Sequence, residues 1–189
     1  MPRVHERKAR KNYPEDGIEK GDKYFTWKRY HGPVQRSKTR PRPSQLTGSA
    51  YYSTVYSLNE ACDDFEISSV DDIEGARDEV DNWHGEVENL KDETECSRDS
   101  VGDAFNQAGD TYELLEQRCD ALETLIEGLD TARSELDDVY SEVDDLDDDD
   151  EADDEDTEKE DKESELEAQK EELCDRARSI LGDIDWTCE

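Results

Sequence analysis

The few apolar residues in the last two-thirds of this chain are spaced for helices that pair along a narrow seam. Ile73, Val80, Val87, Thr94 and Val101 recur every seven residues, and Ala76, Trp83, Leu90 and Ser97 fill the alternate position. That 3-4 rhythm is the signature of helices packed in coiled-coil fashion. Ser69 opens the run with Asp72 three residues on, an acidic variant of the capping box, and Gly102 is expected to end it. A second run starts at Asp110, with Glu113 three residues later. Leu115, Cys119, Leu122, Ile126, Leu129, Leu136, Tyr140 and Val143 follow the alternation, and Arg133 interrupts the seam. The interval from Gly102 to Gly109 is short, which predicts an antiparallel hairpin over 68–143. A third, shorter run holds Leu166, Leu173, Ala177, Ile180 and Ile184, with Leu181 flanking, Gly182 as the stop and Trp186 as a packing anchor. The expected body is a coiled-coil-like three-helix bundle, or a two-helix stalk with a docked third helix over 164–189.

Composition rules out the main alternatives. Of 189 residues, 31% are hydrophobic and 42% are charged. That is enough apolar material to line helix seams and too little for a thick sheet sandwich. The charge is also divided. Met1 to Ala50 carries thirteen Lys+Arg against five Asp+Glu, a net of +8, and Tyr51 to Glu189 carries ten against fifty-one, a net of −41. A basic head on an acidic body points to macromolecular partners.

The head has three readable pieces. Residues 1–13 form a flexible basic arm with Arg3, Arg7, Lys8, Arg10 and Lys11. A glycine turn, Gly17 to Asp22, leads into Lys23 to Tyr30, whose aromatic and β-branched residues predict a strand. Tyr24, Thr26, Lys28 and Tyr30 share one face of it, and Phe25, Trp27 and Arg29 the other. Val34 to Lys38 returns as a second strand, giving a small hairpin module over 14–66. Thr39 to Pro43 is extended before its prolines. Ser44 or Ser49 then caps a helix to Cys62, with Tyr52, Val55, Tyr56, Leu58 and Cys62 on its apolar side. Basic residues among aromatics suit nucleic acid, because cations neutralise phosphates and flat rings stack on bases. The candidate contacts are Arg3, Arg7, Lys8, Arg10, Lys11, Trp27, Lys28, Arg29, Arg36, Lys38, Arg40 and Arg42, with Tyr24, Phe25 and Tyr30 beside them. The competing reading makes those aromatics a mini-core.

Lys8-Ala9-Arg10-Lys11, Pro14, Gly17 to Asp22, Tyr24, Trp27-Lys28, Ser37 to Thr39 and Arg40 to Thr47 resemble a module of tailed-bacteriophage proteins for which no activity is established. The resemblance is dense from Lys8 to Thr47, with a weak echo from Asn106 to Leu129. Members of that group carry a Gly-Gly-like turn after the aromatic strand, where this chain has Gly32-Pro33. The resemblance implies a phage origin and a shared hairpin module; with the scattered cysteines and the lack of a secretory or membrane-spanning apolar run, the expected setting is the host cytoplasm.

Between the second and third helices, 144–163 is almost entirely Asp and Glu, which predicts a solvated, disordered tract. It lacks the glycine turn of a calcium loop. Cys62, Cys96, Cys119, Cys174 and Cys188 are far apart and odd in number, so reduced thiols are expected rather than a disulfide framework or a metal site. There is no nucleophile elbow and no phosphate loop. The expectation is a non-enzymatic protein without metal or cofactor, away from membranes. Its basic head would meet nucleic acid or an anionic host complex, and its acidic body a host or phage protein, through Leu115, Leu122, Ile126 and Leu129 or Asp147, Asp148, Asp149 and Asp150. Two alternatives are an inhibitor whose acidic body mimics DNA, and a structural coiled-coil protein that assembles through the helical seam as a homo-oligomer.

Overall fold

Three short strands open the chain: β1 (His5–Lys8), β2 (Lys23–Lys28) and β3 (Val34–Ser37). They form an antiparallel sheet in the order β1-β2-β3. The helices follow: α1 (Pro43–Leu46), α2 (Ala50–Asp64), α3 (Asp71–Phe105), α4 (Asp110–Asp149) and α5 (Lys159–Gly182). This computed structural model describes residues 2–29, 32–105, 109–149 and 159–187. The architecture is the one the periodicity predicts, mainly helical with a small N-terminal sheet. The chain divides into two units, Met1–Ala61 and Cys62–Glu189.

In the first unit, the expected arm at 1–13 is partly a strand. Backbone pairing sets His5 opposite Thr26 and Lys8 opposite Lys23. Every β1 residue is exposed, so the strand is held by its ladder and not by side-chain burial. Ala9 and Asp22 close the β1–β2 connection, with Ala9 N–H donating to Asp22 O at 2.8 Å and Gly21 N–H to Ala9 O at 2.9 Å. Gly17 (φ 63°) and Gly21 (φ 105°) supply the left-handed turns this loop needs. Ile18 and Tyr24 are buried with Ala9, and Tyr13 packs on them. β3 pairs with β2 through Phe25–Ser37 and Lys28–Val34. On α2 the buried stripe is Tyr51, Val55, Leu58 and Cys62. Tyr51 therefore takes the place expected for Tyr52, and Tyr52 and Tyr56 are only half-buried.

The second unit is built on α3 and α4. On α3 the seam is as predicted from Ile73 to Thr94, with Ile73, Ala76, Val80 and Val87 wholly buried. Ser97 is exposed, and the helix runs through Gly102 to Phe105. Its N-terminus carries the expected cap: Asp72 Oδ2 accepts Ser68 N–H at 2.8 Å and Ser69 N–H at 2.9 Å. Those two backbone donors hold the Asp72 carboxyl below its ordinary range.

On α4 the expected Cys119, Leu122, Leu129, Leu136 and Val143 are buried, and the alternate position falls one residue earlier than the sequence reading, at Leu125, Ala132 and Val139. Ile126 and Tyr140 lie half-buried at the seam's edge, and Arg133 is exposed. Arg133 therefore does not interrupt the packing. It reaches across to Asp81 at 2.9 Å, in a ladder with Arg77–Asp137 at 3.0 Å, His84–Asp130 at 3.3 Å and Lys91–Glu123 at 3.6 Å. Each step forward on α3 is matched by an equal step back on α4, so the two helices are antiparallel in fixed register. Exposed pairs of this kind add little stability. Their consequence is to favour one alignment of two otherwise repetitive helices.

The third helix docks on this hairpin. Leu173, Cys174, Ala177, Leu181 and Ile184 are buried, so Leu181 belongs to the seam and Ile180 to its flank. Arg176 grips Glu142 of α4 with both terminal nitrogens. Arg178 donates from Nε and Nη2 to Ile67 O at 3.0 and 2.9 Å, tying α5 to the segment before α3. Trp186 meets Trp83 edge-to-face at 6.1 Å, the anchoring role expected of it. The helices also enter the acidic tract from both sides, since α4 continues to Asp149 and α5 begins at Lys159. Among the described residues no helix is long and apolar enough to cross a membrane.

Cys62, Cys119 and Cys174 are buried free thiols, and Cys96 is an exposed one. Burial pushes the Cys62 thiol up to about 11. At pH 8 only about one Cys62 in a thousand is then thiolate, against about a quarter of an ordinary exposed thiol. In the folded chain Cys62 is expected to react with a disulfide reagent at least about 10-fold more slowly than an ordinary thiol, since the small thiolate fraction is partly offset by the greater nucleophilicity of a high-pKa thiolate, while Cys96 labels early. Peptide mapping after timed labelling checks this, and early modification of Cys62 would contradict its placement.

Candidate nucleic-acid interface

The N-terminal unit distributes its cations unevenly. Arg3, Arg7, Lys8, Arg10, Lys11, Lys28, Lys38, Arg40 and Arg42 are exposed, and Arg29 and Arg36 are half-buried. Lys23, Arg36 and Lys38 are tied to acids, Lys23 to Glu6 at 3.2 Å. Lys38 lies 3.1 Å from Asp22 and Arg36 3.5 Å from Asp16. The Glu19 backbone N–H, and then Lys38, hold the Asp22 carboxyl below its ordinary range. The Arg36 guanidinium also sits over the Tyr13 ring at 4.6 Å, with the Lys11 ammonium at 5.4 Å from the same ring. Arg7, Arg36 and Tyr24 share a sheet face by register. This cluster supports the turn that closes the β1–β2 connection.

Trp27 does not serve as expected. It is 5% exposed, and a buried indole offers no face to a base. Tyr24, at 6% exposed, is core as well. Tyr30 lies outside the described residues. The β2 aromatics are therefore mainly the unit's own core, and Phe25 is half-buried.

The accessible rings come from elsewhere. Lys28 and Arg29, at and just after the end of β2, face Tyr52 and Tyr56 of α2 across a groove of about 550 Å³. Pro2 and the connection from Leu46 to Gly48 complete its walls. Tyr52 and Tyr56 are one helical turn apart, so their rings fall on the same side of α2. The ring centroids are 6.0 Å apart with planes 23° from parallel. Tyr51 braces Tyr52 edge-to-face at 5.0 Å from the buried side. Arg29 Nε donates to Gln45 O at 2.9 Å, which orients the guanidinium at the rim. The i, i+4 tyrosines were visible in the sequence as an aromatic pair on a helix. Assigning them to the apolar stripe hid their role as a lining.

The other candidate surface changes more. Leu122 and Leu129 are wholly buried and Ile126 half-buried within the second unit. Leu122 and Leu129 have no side-chain surface left for a partner, which closes an intermolecular seam at those positions. Leu115 is half-buried and its neighbour Leu114 is 43% exposed. Asp147, Asp148 and Asp149 lie on the last turns of α4, and Asp150 lies outside the described residues. Among the described residues no group of three or more His, Cys, Asp or Glu is arranged to hold a metal ion. Compared with protein-family models, curated proteins and solved structures, the chain matches none.

Proposed function

We propose that this chain is a non-catalytic regulatory protein whose basic N-terminal unit binds nucleic acid and whose acidic helical body binds a protein. One observation carries the reading: the charge boundary follows the fold boundary. Met1–Ala61 holds thirteen Lys+Arg against six Asp+Glu, a net of +7, and Cys62–Glu189 holds ten against fifty, a net of −40. A separately folded cationic unit is the electrostatic footprint of a phosphate-binding module. The resemblance of Lys8 to Thr47 to tailed-phage proteins fits a role in the cytoplasm of an infected host. The test is fluorescence anisotropy of the full chain and of a Met1–Phe65 fragment with labelled single- and double-stranded DNA and RNA. Binding at about 50 mM salt that collapses by about 200 mM is the expected result. Absence of binding by both proteins at the lower salt removes the nucleic-acid reading.

A second reading has one observation in its favour. Because α4 continues through Asp149, the acidic positions from Asp147 to Asp149 fall on a helix. As a DNA mimic, the chain is expected to displace DNA from a DNA-binding target protein. Exchanging Asp147 to Asp150 for asparagine is expected to abolish that competition. Unchanged competition by the exchanged chain would exclude the tract.

A further inference from the structure

We infer that the groove between β2 and α2 is a stacking site for unpaired nucleic acid, with bases on Tyr52 and Tyr56 and phosphates on Lys28 and Arg29. The inference rests on the proposed nucleic-acid role of this unit and goes further, naming the strand state and the residues that read it. Size is the first argument. About 550 Å³ is the volume of a small-ligand site, which takes one or two nucleotides and excludes a base-paired helix. Ring geometry is the second. Two tyrosines with planes 23° from parallel line the groove, and every base has a π-face that can stack on an aromatic ring. The platform is also preorganised: buried Tyr51 backs Tyr52, so little side-chain freedom is lost on binding.

Charge is the third argument. Among the described residues that line the groove, two are cationic and none is acidic, in a chain with 56 Asp+Glu against 23 Lys+Arg. Lys28 is exposed at the strand end and Arg29 is oriented by Gln45 O. An acidic peptide satisfies the cations alone. A single strand satisfies the cations and both rings, since its phosphates and unstacked bases alternate along one chain.

The test uses the full-length protein at about 50 mM salt, a labelled oligothymidylate of about 12 nucleotides and a duplex of matched length. Three variants are compared: Tyr52→Leu with Tyr56→Leu, Tyr52→Phe with Tyr56→Phe, and Lys28→Gln. Far-UV circular dichroism and thermal unfolding check each fold. The single strand is expected to bind more tightly than the duplex. The leucine pair is expected to weaken single-strand binding by about 5- to 150-fold, as loss of base–aromatic stacking implies. The phenylalanine pair, which keeps the rings, stays within about twofold of the parent chain. Lys28→Gln, at an exposed position, lowers the salt slope for the single strand by about 0.7. Preference for the duplex, full single-strand affinity in the leucine pair, or an unchanged slope in Lys28→Gln overturns the groove and leaves the unit's nucleic-acid role standing. Failure of both the parent chain and the Met1–Phe65 fragment to bind either probe removes that role itself.

Discussion

Replacing Leu129 with alanine is expected to cost the helical body about 2–5 kcal/mol, and replacing its near neighbour Ile126 about 1 kcal/mol. Leu129 is wholly buried on the α4 seam against α3, so truncation forfeits its transfer free energy and leaves a cavity between two helices held in register. Ile126 lies half-buried at the seam's edge, where water can occupy part of the lost volume. A domain of this size is stable by about 5–15 kcal/mol, so the first substitution removes a large share of the total. Urea unfolding followed by far-UV circular dichroism measures both, provided the dependence on urea keeps its slope. Equal costs at the two positions would mean that α4 buries Ile126 and Tyr140 in place of Leu125 and Val139.

That choice between two stripes marks where the sequence stops being legible. On α3 the apolar residues have no competitors one position away, so from Ile73 to Thr94 the period fixes the buried face. On α4 the apolar residues come in adjacent pairs, Leu125 with Ile126 and Val139 with Tyr140, and either phase satisfies a heptad. The deciding residue is Arg133. A seam through Ile126 and Tyr140 must bury its guanidinium, at a penalty no partner there offsets. A seam through Leu125 puts Ala132 inside and frees Arg133 for Asp81. Reading charge cost beside hydrophobic period would have resolved the phase.

The misreadings in the N-terminal unit have a different origin. β1 is His-Glu-Arg-Lys with every residue exposed, so no hydrophobic alternation exists to announce it. An edge strand of this kind is specified by backbone hydrogen bonds to β2 and by the closure at Ala9 and Asp22, neither of which is a side-chain signal. For Trp27 the sequence left two readings, a base-stacking ring and a mini-core residue, and the structure buries it because both faces of β2 are covered at its centre. The groove depends on Lys28 and Arg29 facing a helix that begins about twenty residues later, and such a juxtaposition is created by the tertiary fold alone.

Between about 50 and 200 mM salt, the affinity of this chain for single-stranded nucleic acid is expected to fall about 100-fold. The estimate follows from counterion release. A single strand gives a slope of about −0.7 per phosphate neutralised, so about five contacts give about −3.5, and a fourfold rise in salt then costs about two orders of magnitude. Five is a reasonable share of the unit's thirteen cations, since Lys23, Arg36 and Lys38 each lie within reach of an acid. The acidic body bends the prediction in a definite direction. Its net charge of −40 repels the same ligand, and the repulsion is screened by the same salt, over a Debye length of about 10 Å at 0.1 M. Salt therefore weakens attraction and repulsion together in the full chain, and attraction alone in the Met1–Phe65 fragment. The fragment is expected to bind more tightly and to lose affinity more steeply. Identical slopes would show that the body exerts no field on the bound strand. Binding without any salt dependence would show that phosphates are not what the cations hold.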